Sequence, residues 1–204
     1  MLVGGGTFGN MTMPIETTAS VSQALFNWTL ERYQQAIDCG ILTEEDQLEL
    51  LSGNLVTKMP VNVPHSACVK NLNRYFTPRY FDSHELIAEN PVALPAVDSQ
   101  PEPDYVIARL KEDNYLSGHP TVEDIFLLIE VSDSTLARDR TYKAAIYAAA
   151  GVSEYWIINL KENQVEVHTQ PTGERYGLVS THARGTTFES PFNGLTVVDE
   201  LFPG

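Results

Sequence analysis

Cysteine is scarce in this chain of 204 residues, which contains only Cys39 and Cys68. Two thiols cannot build the framework of a disulfide-stapled domain, and their separation is not the ligand spacing of a zinc ribbon. We therefore expect both cysteines to be reduced and buried.

Long apolar runs are also missing. A typical run is Ile125–Ile129, far below the roughly 20 residues that a membrane-spanning helix needs. The chain does not open with a basic stretch followed by apolar residues, so no secretory signal is recognised. These absences predict a soluble, cytoplasmic protein without a membrane partner.

Positive charge is the third scarce feature. Lysine and arginine number 13 against 27 aspartates and glutamates, which gives a net charge of −14. This balance argues against indiscriminate binding of nucleic acid, but it leaves room for a local basic groove and suits a site for divalent cations. Acidity that only keeps the protein soluble is the alternative. Because 43% of the residues are hydrophobic, the chain can bury a core.

The first half of the chain begins with a flexible tail. Residues 1–22 are small and rich in glycine and threonine, without apolar periodicity, and a single domain is expected from 23 to 204. Helical spacing predicts helices over Gln23–Cys39 and His65–Tyr80. Between them, the turn Ser52-Gly53-Asn54 joins two short apolar runs and predicts a hairpin.

The second half is predicted to be mostly strands. One helix is expected over Leu136–Ala150, which is rich in alanine and followed by Gly151. Two further strands are expected around Gly185 and Gly194. The other predicted strands are Leu86–Leu94 (interrupted by Pro91), Tyr105–Ala108, Ile125–Val131, Tyr155–Leu160 and Gln164–Thr169. This order predicts an α/β or α+β fold with a mixed β-sheet.

Two acidic residues stand out by position. Asp104 opens a predicted strand, and Glu130 lies near the end of the most apolar strand, where an unpaired charge is costly. A carboxylate there needs a cation, a hydrogen-bond donor or water. Either Glu130 binds a metal, or it reaches solvent or pairs with Arg138 or Arg140.

Lys143 lies in the helix that follows the Glu130 strand, about 12 Å along it. A helix that folds back along its parent strand would bring this ammonium near the carboxylates, and Tyr147 lies one turn further on the same face. The alternative is an ordinary surface lysine. Two carboxylates and a lysine at adjoining strand ends are the groups that metal-dependent phosphodiester hydrolysis needs.

Three segments carry a family resemblance: LELLSGNLV, PEPDYVIAR and LLIEVSDSTLARDRTYKAAIYAAAGVSEYWIINL. They resemble the Uma-two family of restriction endonucleases, abundant in cyanobacteria and part of the PD-(D/E)XK nuclease superfamily. The resemblance runs from about Leu48 to Val167. It implies a restriction-endonuclease-like fold, a mixed sheet flanked by helices with the site at one sheet edge.

The resemblance also implies roles for individual residues. Asp104 matches the aspartate of the PD motif and would bind metal, as would Glu130, the acidic residue of the second motif. The Val131 carbonyl is a further candidate ligand. Glu49 matches an upstream acidic residue and would complete the metal shell, unless it is an exposed hairpin carboxylate.

One position departs from the superfamily pattern. The lysine expected two residues after Glu130 is replaced by Ser132, and in this family its role passes to the following helix, where Lys143 matches. His65 could contact a phosphate from the start of its helix, but it is left outside the catalytic set. The basic residues Lys70, Arg74 and Arg79 could form a stripe that faces phosphate, but such a series is more often a solvated helix face.

The sequence therefore favours a Mg²⁺-dependent (or Mn²⁺-dependent) endonuclease. Asp104, Glu130 and Lys143 would be its catalytic residues, DNA its substrate and a homodimer its assembly, with no small-molecule cofactor. The alternative is a nuclease fold kept as a binding or regulatory module with cleavage weak or lost. A third possibility is an enzyme for another phosphate ester, with a small closed pocket. A basic groove would favour the endonuclease.

Overall fold

The computed structural model describes residues 26–204. The helices are α1 (Leu30–Asp38), α2 (Val63–Tyr80), α3 (Leu136–Arg138), α4 (Ala144–Ala150) and α5 (Val198–Leu201). The first five strands are β1 (Leu48–Leu51), β2 (Asn54–Thr57), β3 (His84–Ala88), β4 (Tyr105–Arg109) and β5 (Ile125–Ser132). The others are β6 (Glu154–Asn159), β7 (Gln164–Thr172), β8 (Arg175–Ala183), β9 (Thr187–Ser190) and β10 (Gly194–Val197).

A six-stranded sheet in the order β3-β4-β5-β6-β7-β8 forms the centre of the molecule. Its β5 and β6 are parallel, and every other neighbouring pair is antiparallel. The pairs β1-β2 and β9-β10 form two separate antiparallel hairpins. The predicted mixed sheet flanked by helices is thus confirmed.

Strand β5 is apolar because both faces of the sheet are covered. Leu127, Ile129 and Val131 pack into the core on the side of α2. Leu128 packs into a second core on the side of α4. Since successive side chains point to opposite faces, Glu130 belongs to the α4 side.

The chain between β5 and β6 is helical but not uniformly α-helical. A π-helical turn, Asp139–Lys143, separates α3 from α4, and the backbone N–H of Ala144 donates to the carbonyl of Asp139 five residues earlier. Gly151, with φ +91°, ends α4. The predicted helix over Leu136–Ala150 exists, but the sequence did not reveal this turn.

Several boundaries differ from the prediction for local reasons. Helix α1 begins only at Leu30, because the Thr29 side chain caps it by accepting the N–H of Arg32. Strand β3 ends at Ala88, before Glu89, whose φ of +52° leaves the extended region. The C-terminal part contains three strands and α5 rather than two strands.

Other expectations have mixed outcomes. Cys68 is buried, and burial raises the pKa of its thiol to about 12, but Cys39 is exposed, contrary to expectation. The predicted tail over 1–22 lies outside the described residues, and the single domain over 23–204 stays a prediction. Between residues 26 and 204, no helix is long and apolar enough to cross a bilayer.

Candidate active site

The antiparallel pairing of β4 and β5 brings the first two site residues together. Tyr105 pairs with Ile129, and continuing this register by one residue places Asp104 opposite Glu130. The start of one strand therefore meets the end of its neighbour. Both acidic residues line a cavity of about 620 Å³.

Asp104 is held by two donors. Its Oδ2 accepts the backbone N–H of Val131 at 2.6 Å, and its Oδ1 lies 2.9 Å from Nε2 of His65. His65 enters the first turn of α2, where its own N–H donates to the capping side chain of Asn62. The cap of α2 thus helps to place the backbone of His65 beside Asp104.

Glu130 is 3% exposed and is hydrogen-bonded by two residues of the helical segment. Its Oε1 accepts from Nζ of Lys143 at 2.8 Å and from the hydroxyl of Tyr147 at 2.6 Å. The four-residue spacing of these donors places them on one helical face. Neither Arg138 nor Arg140 pairs with Glu130, so that alternative is wrong.

Electrostatics around Glu130 oppose its ionisation. Burial raises the pKa of this carboxyl, and the negative charges of Asp104 and Asp139 add to the increase, while Lys143 acts in the opposite direction. Lys143 is itself 5% exposed, so it is not the surface lysine of the alternative reading. A cation beside Glu130 is therefore needed to keep the carboxylate charged.

Glu49 joins the same cluster from β1. It is 3% exposed, so the alternative of an exposed hairpin carboxylate is wrong. Its Oε1 contacts the Arg138 guanidinium, while its Oε2 lies 3.7 Å from Nζ of Lys143 and accepts the N–H of Glu102 at 3.3 Å. Glu49 is thus paired with two cations.

Ser132, which replaces the superfamily lysine, has a structural partner. Its side chain is buried and donates to Oδ2 of Asp139 at 2.6 Å, and the Thr135 hydroxyl donates to the same oxygen at 2.6 Å. Asp139 is 2% exposed and lines the cavity. The serine therefore anchors the π-helical turn that carries Lys143.

The cavity lining is acidic overall. It includes eight carboxylates against three fixed cations, and exposed residues such as Met59 and Val61 form part of it. The carboxylates are Glu44, Glu49, Glu89, Glu102, Asp104, Glu130, Asp133 and Asp139, and the cations are Lys58, Arg138 and Lys143. It is neither the basic groove that would favour the endonuclease nor a small closed pocket.

The donor chemistry suits a hard divalent cation. The carboxylates of Asp104 and Glu130 and the carbonyl of Val131 are oxygen ligands of the kind that Mg²⁺ prefers. Within the described part of the chain, no three His, Cys, Asp or Glu residues are arranged as a ready-made metal site. Lys143 already places its ammonium on Glu130, so the residues fit an ion that takes over this contact.

Three residues in the cavity were missed or undervalued from sequence. Asp139 received no role, His65 was left aside, and Arg138 was considered only as a partner of Glu130. Asp139 precedes Lys143 by four residues, a spacing that would have placed it on the same helical face. His65 meets Asp104 only through the packing of α2 on the sheet, for which the sequence gives no local signal.

The fold is similar to that of a solved structure. The structure is similar to the crystal structure of a putative nuclease belonging to DUF820 from Anabaena variabilis ATCC 29413, with a TM-score of 0.59 and 16% sequence identity. The match covers 85% of this chain and 97% of that one. Comparison with curated proteins gave no match.

The family follows from the sequence match. The family model described as Uma2, putative restriction endonuclease, matches residues 30–198. The chain belongs to this family, as its motifs predicted. Membership supports a nuclease-like function for this protein.

Proposed function

We propose that this protein is a metal-dependent endonuclease that hydrolyses phosphodiester bonds of DNA, with Mg²⁺ or Mn²⁺ as its cofactor. One observation carries the proposal. Asp104 and Glu130 come from adjoining ends of neighbouring strands, and the buried ammonium of Lys143 lies 2.8 Å from Glu130 in the same cavity.

Each residue has a distinct task in this proposal. Asp104, Glu130 and the Val131 carbonyl hold the ion, which when bound polarises the phosphate and lowers the pKa of a water molecule. His65 and the Val131 N–H orient the carboxylate of Asp104. Lys143, once it leaves Glu130, donates to the attacking water or to the charge that develops on the phosphate.

Glu49 is the additional ligand of the proposal. To coordinate an ion it must weaken its contacts with Arg138 and Lys143. Both cations would then become available to a bound anion. When Glu49 takes the ion as its partner, Lys143 is therefore released to contact the anion.

A binding or regulatory module is the second candidate, and the acidic lining favours it. Eight carboxylates against three fixed cations repel a polyanion when no metal is present. The absence of the superfamily lysine at Ser132 points the same way. Under this reading Lys143 and Glu130 remain a structural pair.

Cleavage of supercoiled plasmid and of a duplex oligonucleotide at low salt, with Mg²⁺ or Mn²⁺, tests the proposal. Wild type is compared with Glu130→Gln, Lys143→Ala and the control Glu200→Gln, which changes an exposed residue on α5. Metal-dependent cleavage lost in the first two variants and kept in the third supports the endonuclease. No cleavage by wild-type protein with either metal favours the binding module.

We also propose that the protein acts as a homodimer, since two copies related by a twofold axis can cut both strands of a duplex. Light scattering would give a mass twice that of the chain, and linear plasmid would appear early in the reaction. A monomeric mass with nicked circles as the sole early product contradicts this assembly.

A further inference from the structure

Arg138 has an unused hydrogen-bond donor in the cavity. Its guanidinium contacts Glu49 through Nη2, but its Nε is buried and has no hydrogen-bond partner in the described structure. Buried polar groups normally find partners, and a charged donor without one is costly. An acceptor from outside the chain, either a water molecule or a ligand oxygen, would satisfy this donor.

The π-helical turn gives Arg138 its position. In an α-helix, residues five apart point about 140° away from each other. A π-helical turn closes its hydrogen bond over five residues instead of four, so Arg138 and Lys143 lie closer to one side of the helical segment than they would in an α-helix. Both cations reach Glu49, Arg138 at Oε1 and Lys143 at 3.7 Å from Oε2.

Hydrogen bonds at Asp139, two of them from strand residues outside the helical segment, hold the turn in this form. The carbonyl of Asp139 accepts the N–H of Ala144 and also the hydroxyl of Tyr155, the latter at 3.2 Å. Its carboxylate accepts the hydroxyls of Ser132 and Thr135. Asp139 thus accepts four hydrogen bonds, and together they stabilise the turn that brings the two cations to Glu49.

We propose that Arg138 binds a phosphate group of the nucleic-acid substrate, and that Glu49 positions its guanidinium until the phosphate arrives. The inference rests on the proposed nuclease function for the identity of the ligand. A guanidinium presents planar, paired donors that match phosphate oxygens. Lys58 pairs with Glu102 and Lys143 with Glu130, and among the cations of the described lining it is Arg138 that keeps a buried donor without a partner.

Nuclear magnetic resonance of the arginine Nε–H groups tests the contact without catalysis. The probe is a short phosphorothioate duplex added with Ca²⁺, and Arg138→Lys assigns the resonance. We expect the Arg138 Nε–H signal to move downfield and to exchange more slowly with water. A duplex that moves other signals but not this one, or that moves none, overturns the inference.

Kinetics provide the second readout. Arg138→Lys keeps the charge but loses the fork of donors, so KM should rise about 10- to 100-fold with kcat nearly unchanged and the unfolding temperature preserved. The matched control is Arg140→Lys in the same turn, because Arg140 pairs with Glu166 and does not line the cavity. An unchanged KM in Arg138→Lys overturns the inference while wild-type cleavage upholds the endonuclease. A shifted Arg138 signal without any wild-type cleavage supports phosphate binding by Arg138 and contradicts the endonuclease.

Discussion

Nζ of Lys143 lies 2.8 Å from Oε1 of Glu130, although the two residues are thirteen positions apart in the chain. The contact joins the end of β5 to the helical segment that follows it. It also neutralises a buried carboxylate opposite Asp104. A metal ion that binds Glu130 through this oxygen would displace the ammonium, so binding of the proposed cofactor and release of Lys143 would be coupled.

The first prediction concerns that coupling. Lys143→Ala should reduce cleavage by about 100-fold or more, because a preorganised donor to developing charge is lost. Mn²⁺ should bind more tightly at pH 8, because no ammonium competes for Glu130. Calorimetry measures the affinity, with exposed Lys161→Ala as the control. Weaker Mn²⁺ binding in Lys143→Ala would show that the lysine assists the ion rather than competing with it.

The second prediction concerns Tyr147. Its hydroxyl donates to Glu130 at 2.6 Å, and a hydrogen bond to the charged form favours that form. Tyr147→Phe should therefore raise the pKa of Glu130, and the acidic limb of the pH–rate profile should move to higher pH by about one unit. Tyr142→Phe, whose hydroxyl donates instead to the Leu51 carbonyl, is the matched control. If the acidic limb does not move in Tyr147→Phe, the ionisation of Glu130 does not control the rate.

The third prediction concerns the orientation of Asp104 by His65. Burial alone would lower the pKa of His65, but the hydrogen bond and the charge of Asp104 outweigh it and raise this pKa. His65→Ala should reduce kcat about tenfold with little change in KM, since one donor to a carboxylate is lost. His65→Gln, which keeps an N–H donor, should restore part of the rate.

The control for this variant is His84→Gln, because His84 lies on β3 and does not line the cavity. Its kinetics should match those of wild type. Equal losses of kcat in His65→Ala and His65→Gln would contradict a donor role. They would mean that His65 contributes only through its packing.

The fourth prediction concerns stability and pH. Burial would raise the pKa of Glu166, but the Arg140 guanidinium, which donates to both carboxylate oxygens, and the nearby His168 ring at 3.9 Å lower it to about 2. A lowered folded-state pKa stabilises the protein above the ordinary value of 4.5, and this stabilisation is lost as the pH falls toward 2. Glu166→Gln should cost about 1–2 kcal/mol at pH 7, because Arg140 is partly exposed.

Urea unfolding at pH 7 and near pH 2.5 measures this effect. The difference between wild type and Glu166→Gln should shrink at the lower pH. Glu162→Gln is the control, since Glu162 is exposed and lies 3.4 Å from the same arginine. A difference that is independent of pH would mean that the side-chain packing of Glu166, not its charge, stabilises the fold.

Local sequence patterns predicted much of the fold and the centre of the site. The apolar run of β5 and the acidic residues at the ends of two strands were enough to expect Asp104 and Glu130 together. The spacing of Lys143 and Tyr147 was enough to place them on one helical face. These features depend on periodicities of two and 3.6 residues, which short segments reveal.

The remaining site features depend on contacts between distant segments. The π-helical turn requires Asp139 to meet Ser132 and Tyr155, so an alanine-rich segment with good helical propensity was predicted as uniform α-helix. The contact between Arg138 and Glu49 follows from that turn. Helix propensity describes the local sequence only, whereas these partners meet the segment only in the folded protein.

Under the proposed function, the acidic lining of the cavity would impose an order on the encounter with DNA. The excess of carboxylates over fixed cations would repel the phosphate backbone until a divalent ion binds, so the ion would have to arrive first. The supply of divalent cations would then control access to the nucleic acid as well as the chemistry. A nuclease that works in this way would stay off DNA whenever those ions are scarce, without needing an inhibitor.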